Sequence, residues 1–311
     1  MVYVKGLFMD DSITPTDNAH LDNDSSKLII NWFPGHMHRS KKLIATHLKR
    51  VDLVIELRDA RIPLSSGNPL LHQLIIGKPI LLLLNKADLA DEKITSVWVS
   101  RLKSENQYVV PISSKDNKIR QKLVSYCKQA VPNINEILRS SGRKQIRAMI
   151  VGVPNVGKST LLNTLSCSAK AKTGDRPAVT TDIQHVKVYG ELDLIDTPGV
   201  LWPKIQTRHQ GVVLSATGSI KDDVVDLYRI ALETAKILME HYPHLLLERY
   251  KLETLASSPE EFIGMVGKKR GLIGAKGIID LERAALKFLN ELRDGKIGKI
   301  SLEFPQNFLD I

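Results

Sequence analysis

Residues 146–160 read IRAMIVGVPNVGKST. An apolar run enters a loop with Gly152 and Gly157, and the loop opens the helical segment TLLNTL. Few folds accept this order, because it demands a buried strand, a tight glycine turn and a helix in immediate succession. The spacing is G-x-x-x-x-G-K-S, in which glycines let backbone N–H groups curl around a phosphate. Lys158 is then placed to reach terminal phosphates, and the Ser159 hydroxyl to hold Mg²⁺. The helix N-terminus adds a dipole that favours anions. Asn155, Val156, Gly157, Lys158, Ser159 and Thr160 are the expected cradle.

Other segments extend this unit into a sheet. VDLVIEL (51–57), PILLLL (79–84) and YVVPIS (108–113) read as strands. The continuous apolar run at 79–84 suits a parallel strand buried on both faces. KVYGELDLID (187–196) reads as a hairpin or a pair of strands, and residues 117–130 have helical spacing. Strands alternating with helices predict a parallel, doubly wound α/β sheet. MHRSKKLIATHLKR (37–50) predicts a helix with a basic outer face. After about residue 212 the strand runs stop. Leu214, Ile220, Val224, Leu227, Ile230, Leu232, Ile237 and Leu238 recur at helical spacing. DLERAALKFLNELR (280–293) predicts an amphipathic helix capped by Asp280. GKKRGLIGAKG (267–277) reads as a flexible basic loop before it. The expected organisation is a disordered acidic tail over 1–30, an α/β domain over 31–212 and a small all-helical domain over 213–311.

Two further motifs fall at strand ends, where ligands bind in such sheets. DTPG (196–199) offers Asp196 to a Mg²⁺ through water and the Gly199 N–H to a γ-phosphate. NKAD (85–88) follows the apolar strand. A carboxylate such as Asp88 can accept two hydrogen bonds from the N1–H and N2–H₂ edge of guanine, an edge that adenine lacks. Asn85 would brace the loops and the Lys86 stem would cover the base. A polar turn after a strand is the bland alternative. In the usual order of such sites the phosphate loop precedes NKxD, yet here NKAD starts 67 residues before it.

Composition bounds the class. The chain has 311 residues, 43% hydrophobic, enough for a substantial core with a smaller second domain. No apolar run reaches the roughly 18–20 residues of a membrane span, so a soluble protein without a membrane partner is expected. Cys127 and Cys167 support neither a disulfide scaffold nor a zinc site and fit a reducing, cytoplasmic setting. The N-terminus lacks the pattern of a secretory signal and, with five Asp and no Arg, of an organelle presequence. The net charge is +10 and uneven. Residues 1–30 are acidic, residues 206–311 balance fifteen basic against fifteen acidic residues, and the excess falls in 31–205. Such an excess suggests a nucleic-acid partner.

With NKAD (85–88), SSK (113–115), GVPNVGKST (152–160), PAVTT (177–181) and DTPG (196–199) in this order, the chain resembles the circularly permuted GTPases. It is most similar to the ribosome biogenesis GTPase A (YlqF) family through NWFPGHM (31–37), DARIP (59–63), TGDRP (173–177), DTPGVLWP (196–203), TGSIKDD (217–223) and GKIGKI (295–300). The resemblance covers roughly residues 31–303. It implies a monomeric GTPase that binds GTP and GDP with Mg²⁺, and that assists assembly of the large ribosomal subunit by binding its precursor and rRNA. It also implies that Ser113 and Ser114 contact guanine and that Thr180 closes on Mg²⁺ and the γ-phosphate, with Thr181 adjacent. The family's loop glycine is Ala178 here, and Ser114 stands in place of alanine.

Ras-type GTPases orient the attacking water with a Gln after DxxG. That position is Val200 here, and the resemblance implies that His36 takes its place. Asn155 is similar to a residue that ligates K⁺ beside the phosphates in related GTPases. Arg58 and Arg61 are weaker candidates for a catalytic cation, a structural loop being the simpler role. For RNA, Arg39, Lys41, Lys42, Lys49 and Arg50 form one basic stretch, and Lys268, Lys269, Arg270 and Lys276 another. A nucleotide-gated RNA scaffold with negligible catalysis is the second reading, and a P-loop ATPase or kinase the third.

Overall fold

The computed structural model describes residues 44–166, 184–188, 190–197, 205, 207–274 and 277–308. The acidic tail, His36, Cys167, Ala178, Thr180, Thr181, Gly199, Val200 and Lys276 lie outside these residues. Among the described residues six strands form one sheet: β1 (Leu53–Asp59), β2 (Ile80–Asn85), β3 (Gln107–Pro111), β4 (Ile146–Gly152), β5 (Gln184–Val188) and β6 (Leu192–Asp196). Their spatial order is β3-β2-β1-β4-β6-β5. Every pairing is parallel except β5 with β6, so 187–196 contains the turn of a hairpin whose first strand starts at Gln184.

Helices α1 (Pro69–Leu74), α2 (Glu92–Leu102), α3 (Ile119–Ala130), α4 (Ile134–Ser140) and α5 (Lys158–Leu165) cover the sheet. Alternate side chains of the inner strands serve different faces. Ile55, Leu57, Leu81, Leu83, Ala148 and Ile150 join one apolar cluster, which includes α3 and α5. Val54, Met149 and Val151 pack on the other face with Ile44 and Leu48 of a helical stretch at 44–48, and Leu82 and Leu84 pack there with Trp98 of α2. Two buried faces require apolar residues at every position, which is why β2 reads ILLLLN without alternation. Cys127 sits in the first cluster, where burial pushes its thiol up to about 12.

Helices α6 (Arg208–Ala216), α7 (Leu227–His241), α8 (Pro243–Tyr250), α9 (Pro259–Lys269) and α10 (Leu281–Arg293) follow. The expected change of domain after residue 212 falls inside α6. Asp280 caps α10 as its position predicts, accepting from the Arg283 N–H at 3.0 Å. Phe262 of α9 packs edge-on between Tyr250 and Phe288, with centroids 5.5 Å away on each side. The apolar cluster of the first sheet face runs on into these helices.

Two sequence expectations are corrected. Of the apolar residues from Leu214 to Leu238 read at helical spacing, two lie off the α-helices: Ile220 is buried in a bend, and Val224 is about half exposed on the 3₁₀ turn Asp222–Val224. Residues 267–277 are not simply a flexible basic loop. Gly267, Lys268 and Lys269 finish α9, where an added Cβ at Gly267 would lie 2.4 Å from Ile279. Arg270 donates twice to Glu291 at 2.8 Å and lies over the Tyr250 ring, so its charge is spent inside the fold.

After α10 the chain returns to the sheet. The Ile300 N–H donates to the Leu89 carbonyl at 3.0 Å, and the Leu302 N–H to that of Arg61 at 2.9 Å. Both Glu303 carboxylate oxygens accept backbone N–H groups, from Leu64 at 2.7 Å and Ser65 at 2.9 Å. Trp98 Nε1 donates to the Glu303 carbonyl at 3.1 Å. Residues 297–304 thus strap the helical part to the loops that follow β1 and β2.

The strap and the Glu291 cluster each predict an outcome. In Glu303→Gln one acceptor becomes an amide donor facing a backbone N–H, which should cost about 1–3 kcal/mol in a urea melt. Burial pushes the Glu291 carboxyl up, but hydrogen bonds from Arg270 and Arg249 outweigh it and hold the group at about 2. A carboxyl depressed from 4.5 contributes stability that is present above that pH and lost as pH falls toward 2. The melting temperature of wild type should therefore fall more steeply over this window than that of Glu291→Gln.

Candidate nucleotide site

Because β1, β2, β3, β4 and β6 run parallel, their C-terminal ends share one rim. The strand order departs in two directions from β1 and β4, the place where such sheets open a crevice. Around it lie DARIP, NKAD, SSK, the glycine loop and Asp196.

Asn85, the last residue of β2, is 1% exposed. Its Oδ1 accepts from the N–H and the hydroxyl of Ser114, both at 2.8 Å, and its Nδ2 donates to the Val156 carbonyl at 2.7 Å. One buried carboxamide therefore joins the ends of β2 and β3 to the phosphate loop. Thr164 of α5 donates its hydroxyl to the Ser114 carbonyl at 2.7 Å, a second tie between these segments. Gly157 has φ of +104°, and an added Cβ would meet Asn85 Nδ2 at 2.2 Å. Both the backbone and the neighbour require glycine.

Lys86 has φ of +62°, in the left-handed region, and its Nζ lies 3.0 Å from Asp59 Oδ2. Asp88 is exposed on the turn after β2, and Ser113 is half-buried at the end of β3. The Ser114 hydroxyl is turned to Asn85, so its geometry is that of a brace.

At the phosphate loop, Lys158 is 7% exposed and donates Nζ to the Gly152 and Val153 carbonyls, both at 2.9 Å. Burial lowers its pKa to about 8, against the attraction of Asp196. Asp196 is 1% exposed, and burial raises it to about 6, opposed by Lys158 and by the Thr197 N–H. Its Oδ1 is buried with no hydrogen-bond partner among the described residues. An unsatisfied carboxylate oxygen beside a phosphate loop is the kind of hard acceptor that suits a hydrated Mg²⁺. Ser159 and Thr160 are half-buried in the first turn of α5. Asn155 has φ of +56° and donates Nδ2 to the Gly218 carbonyl at 2.7 Å, joining the loop to the TGSI segment.

The expected residues Asn85, Lys86, Asp88, Ser113, Ser114, Asn155, Val156, Gly157, Lys158, Ser159, Thr160 and Asp196 thus gather on one rim, while His36, Thr180 and Gly199 lie outside the described residues. Arg58 and Arg61 are buried and paired with Glu56 and Asp59, which makes them parts of the scaffold.

Residues 147–251 match the family described as 50S ribosome-binding GTPase. The chain is 41% identical over 283 residues to ribosome biogenesis GTPase A of Bacillus cereus, covering 90% of this chain and 96% of that one. It is 30% identical to the protein of that name from Thermotoga maritima, covering 91% and 97%. The structure of GNP-bound YlqF from T. maritima superposes with a TM-score of 0.59 at 28% identity, covering 86% of this chain and 99% of that one. The chain belongs to the ribosome biogenesis GTPase A family.

Membership in this family accounts for the order of the loops. The sheet is that of a P-loop GTPase with its chain circularly permuted, so NKAD precedes the phosphate loop in sequence while lying beside it in space. Several members of the site gave no signal of their own. Asp59, Arg61 and Glu303 drew attention only through the DARIP resemblance or not at all, because charge inside a strand or loop has no periodicity that marks burial. The pairing of Gly157 with Asn85 predicts that Gly157→Ala destabilises the fold by about 2 kcal/mol and weakens GDP binding at least tenfold. Calorimetric titration and a thermal melt check both.

Proposed function

We propose that this GTPase is an assembly factor for the large (50S) ribosomal subunit, binding rRNA of the precursor particle in the GTP state and leaving it on hydrolysis. One observation carries the guanine reading: the exposed Asp88 follows a loop that Asn85 locks to the phosphate loop. A carboxylate at that place takes the N1–H and N2–H₂ edge of guanine and leaves adenine unrewarded. The ribosomal reading rests on the names that the relatives carry.

On binding, the phosphates replace the two carbonyls that Lys158 now contacts, so its ammonium follows the β- and γ-phosphates. Ser159, Thr180 and Asp196 are the residues that would hold Mg²⁺, which neutralises charge on the phosphate oxygens. Asn155 would hold K⁺, a second cation beside the phosphates. His36 orients the attacking water in the absence of a Gln at Val200. In this reading residues 31–212 handle the nucleotide and residues 213–311 contact RNA. Arg270 is spent on Glu291, so within residues 213–311 Lys268, Lys269 and Lys276 carry that contact, and the stretch from Arg39 to Arg50 adds a second one from the other part of the chain. The protein acts as a cytoplasmic monomer.

The test is GTP turnover with and without large-subunit precursor particles in potassium buffer. Stimulation by the particles is expected, with a loss of about 10²-fold in His36→Ala. Absence of both stimulation and particle binding contradicts the proposal. Unchanged turnover in His36→Ala favours the nucleotide-gated scaffold.

A further inference from the structure

Asp59 stands opposite Asn85 in the β1–β2 register, and the Ala60 N–H donates to the Asn85 carbonyl at 2.7 Å. Asp59 and Arg61 are each 1% exposed. Asp59 Oδ1 accepts from the backbone N–H and the Nε of Arg61, both at 3.0 Å, and Oδ2 accepts from Arg61 Nη2 at 2.8 Å. That fork already neutralises the carboxylate. Lys86 Nζ nevertheless comes to the same Oδ2 at 3.0 Å, from a side chain that stays 22% exposed. The two cations together hold the Asp59 carboxyl well below the usual range, against the burial that pushes it up.

A purely structural pair has no need of this second cation. Lys86 also sits in a backbone conformation that L side chains rarely adopt, and such a conformation persists only where the surroundings hold it. The residue held this way lies two positions before Asp88. On the far side of the cluster, Arg61 Nη1 donates to the Leu292 carbonyl at 3.1 Å, in the last turn of α10. The chain of contacts runs from Lys86 through Asp59 and Arg61 to the helical part.

We propose that Asp59 is a positioning residue for guanine recognition: it pins the Lys86 ammonium so that the four-carbon stem forms one wall of the base site, and Arg61 ties that wall to the end of α10. The proposal rests on the guanine reading of NKAD. It assigns to DARIP a role in nucleotide affinity, and it makes the docking of the helical part a determinant of that affinity. An ordered stem costs the bound state less side-chain entropy than a free one, so losing the anchor weakens the base contact.

The experiment is a double-mutant cycle on the full chain, read as the dissociation constant for GDP, with ADP as the control ligand. Wild type preferring GDP to ADP upholds the guanine reading; equal affinities overturn that reading alone and are seen before any mutant is made. Asp59→Asn and Lys86→Met are each expected to weaken GDP about tenfold. Asp59→Asn/Lys86→Met should be no weaker than the worse single variant, because both remove the same wall. The KM for GTP should rise by a similar factor, with kcat moving less than KM. Losses that multiply in the double variant, or an Asp59→Asn protein within twofold of wild type, overturn the proposal. If Asp59→Asn does not fold, Arg61→Lys keeps the charge but loses the fork. It should weaken GDP several-fold in the wild-type background and not in Lys86→Met, and an equal loss in both backgrounds overturns the proposal equally.

Discussion

The site depends on one buried carboxamide. Asn85 accepts two hydrogen bonds from Ser114 and gives one to Val156, and those three residues belong to three different strand ends. A buried amide with these partners has little freedom to shift without leaving a donor or acceptor unpaired, which costs about 1–3 kcal/mol per group. The loops that follow β2 and β3 and the phosphate loop are therefore held as one body. The closeness of Gly157 to Asn85 is the other side of the same constraint, since any side chain there would displace the amide.

This constraint explains why the chain tolerates permutation. Asn85 joins loops in space, and nothing in the join requires the phosphate loop to come first in sequence. What must be kept is the parallel sheet that brings the strand ends to one rim. Permutation does change what hangs from the site. The helical part follows β6, crosses to the phosphate loop through the Asn155–Gly218 contact, and returns to the NKAD side through the strap at 297–304. Asn155 and Arg61 meet it at opposite ends of the nucleotide site, and both contacts converge on one turn of α10. Leu292 accepts from Arg61, while Arg293 organises Ser215, Ala216 and Asp222 around Gly218.

Much of this was legible in the residues. The strands could be read because sheets buried on both faces demand unbroken apolar runs, as in ILLLLN. The α10 helix could be read from its apolar spacing and its Asp280 cap, and the candidate ligands from strand-end motifs. Helix α9 was obscured at its end by GKKRG, where three basic residues and two glycines imitate a loop. Its partners Ile279 and Glu291 lie downstream and have no local signature. Ile220 kept the apolar rhythm of its neighbours while serving a bend. The strap was the least legible part: its contacts to Arg61, Leu64, Ser65 and Trp98 span more than two hundred residues of sequence, and nothing local in SLEF announces that Glu303 will be buried.

The central claim is that the loops that follow β2 and β3, the phosphate loop and the strap form one mechanical unit. Amide hydrogen exchange of the full chain, without nucleotide and with a GTP analogue, tests it most directly. Protection is expected to rise on binding at 85–90, 112–115 and 152–158, and also at 61–66 and 298–304, which touch no nucleotide in this account. Protection confined to the first three segments, with the strap unchanged, would contradict it.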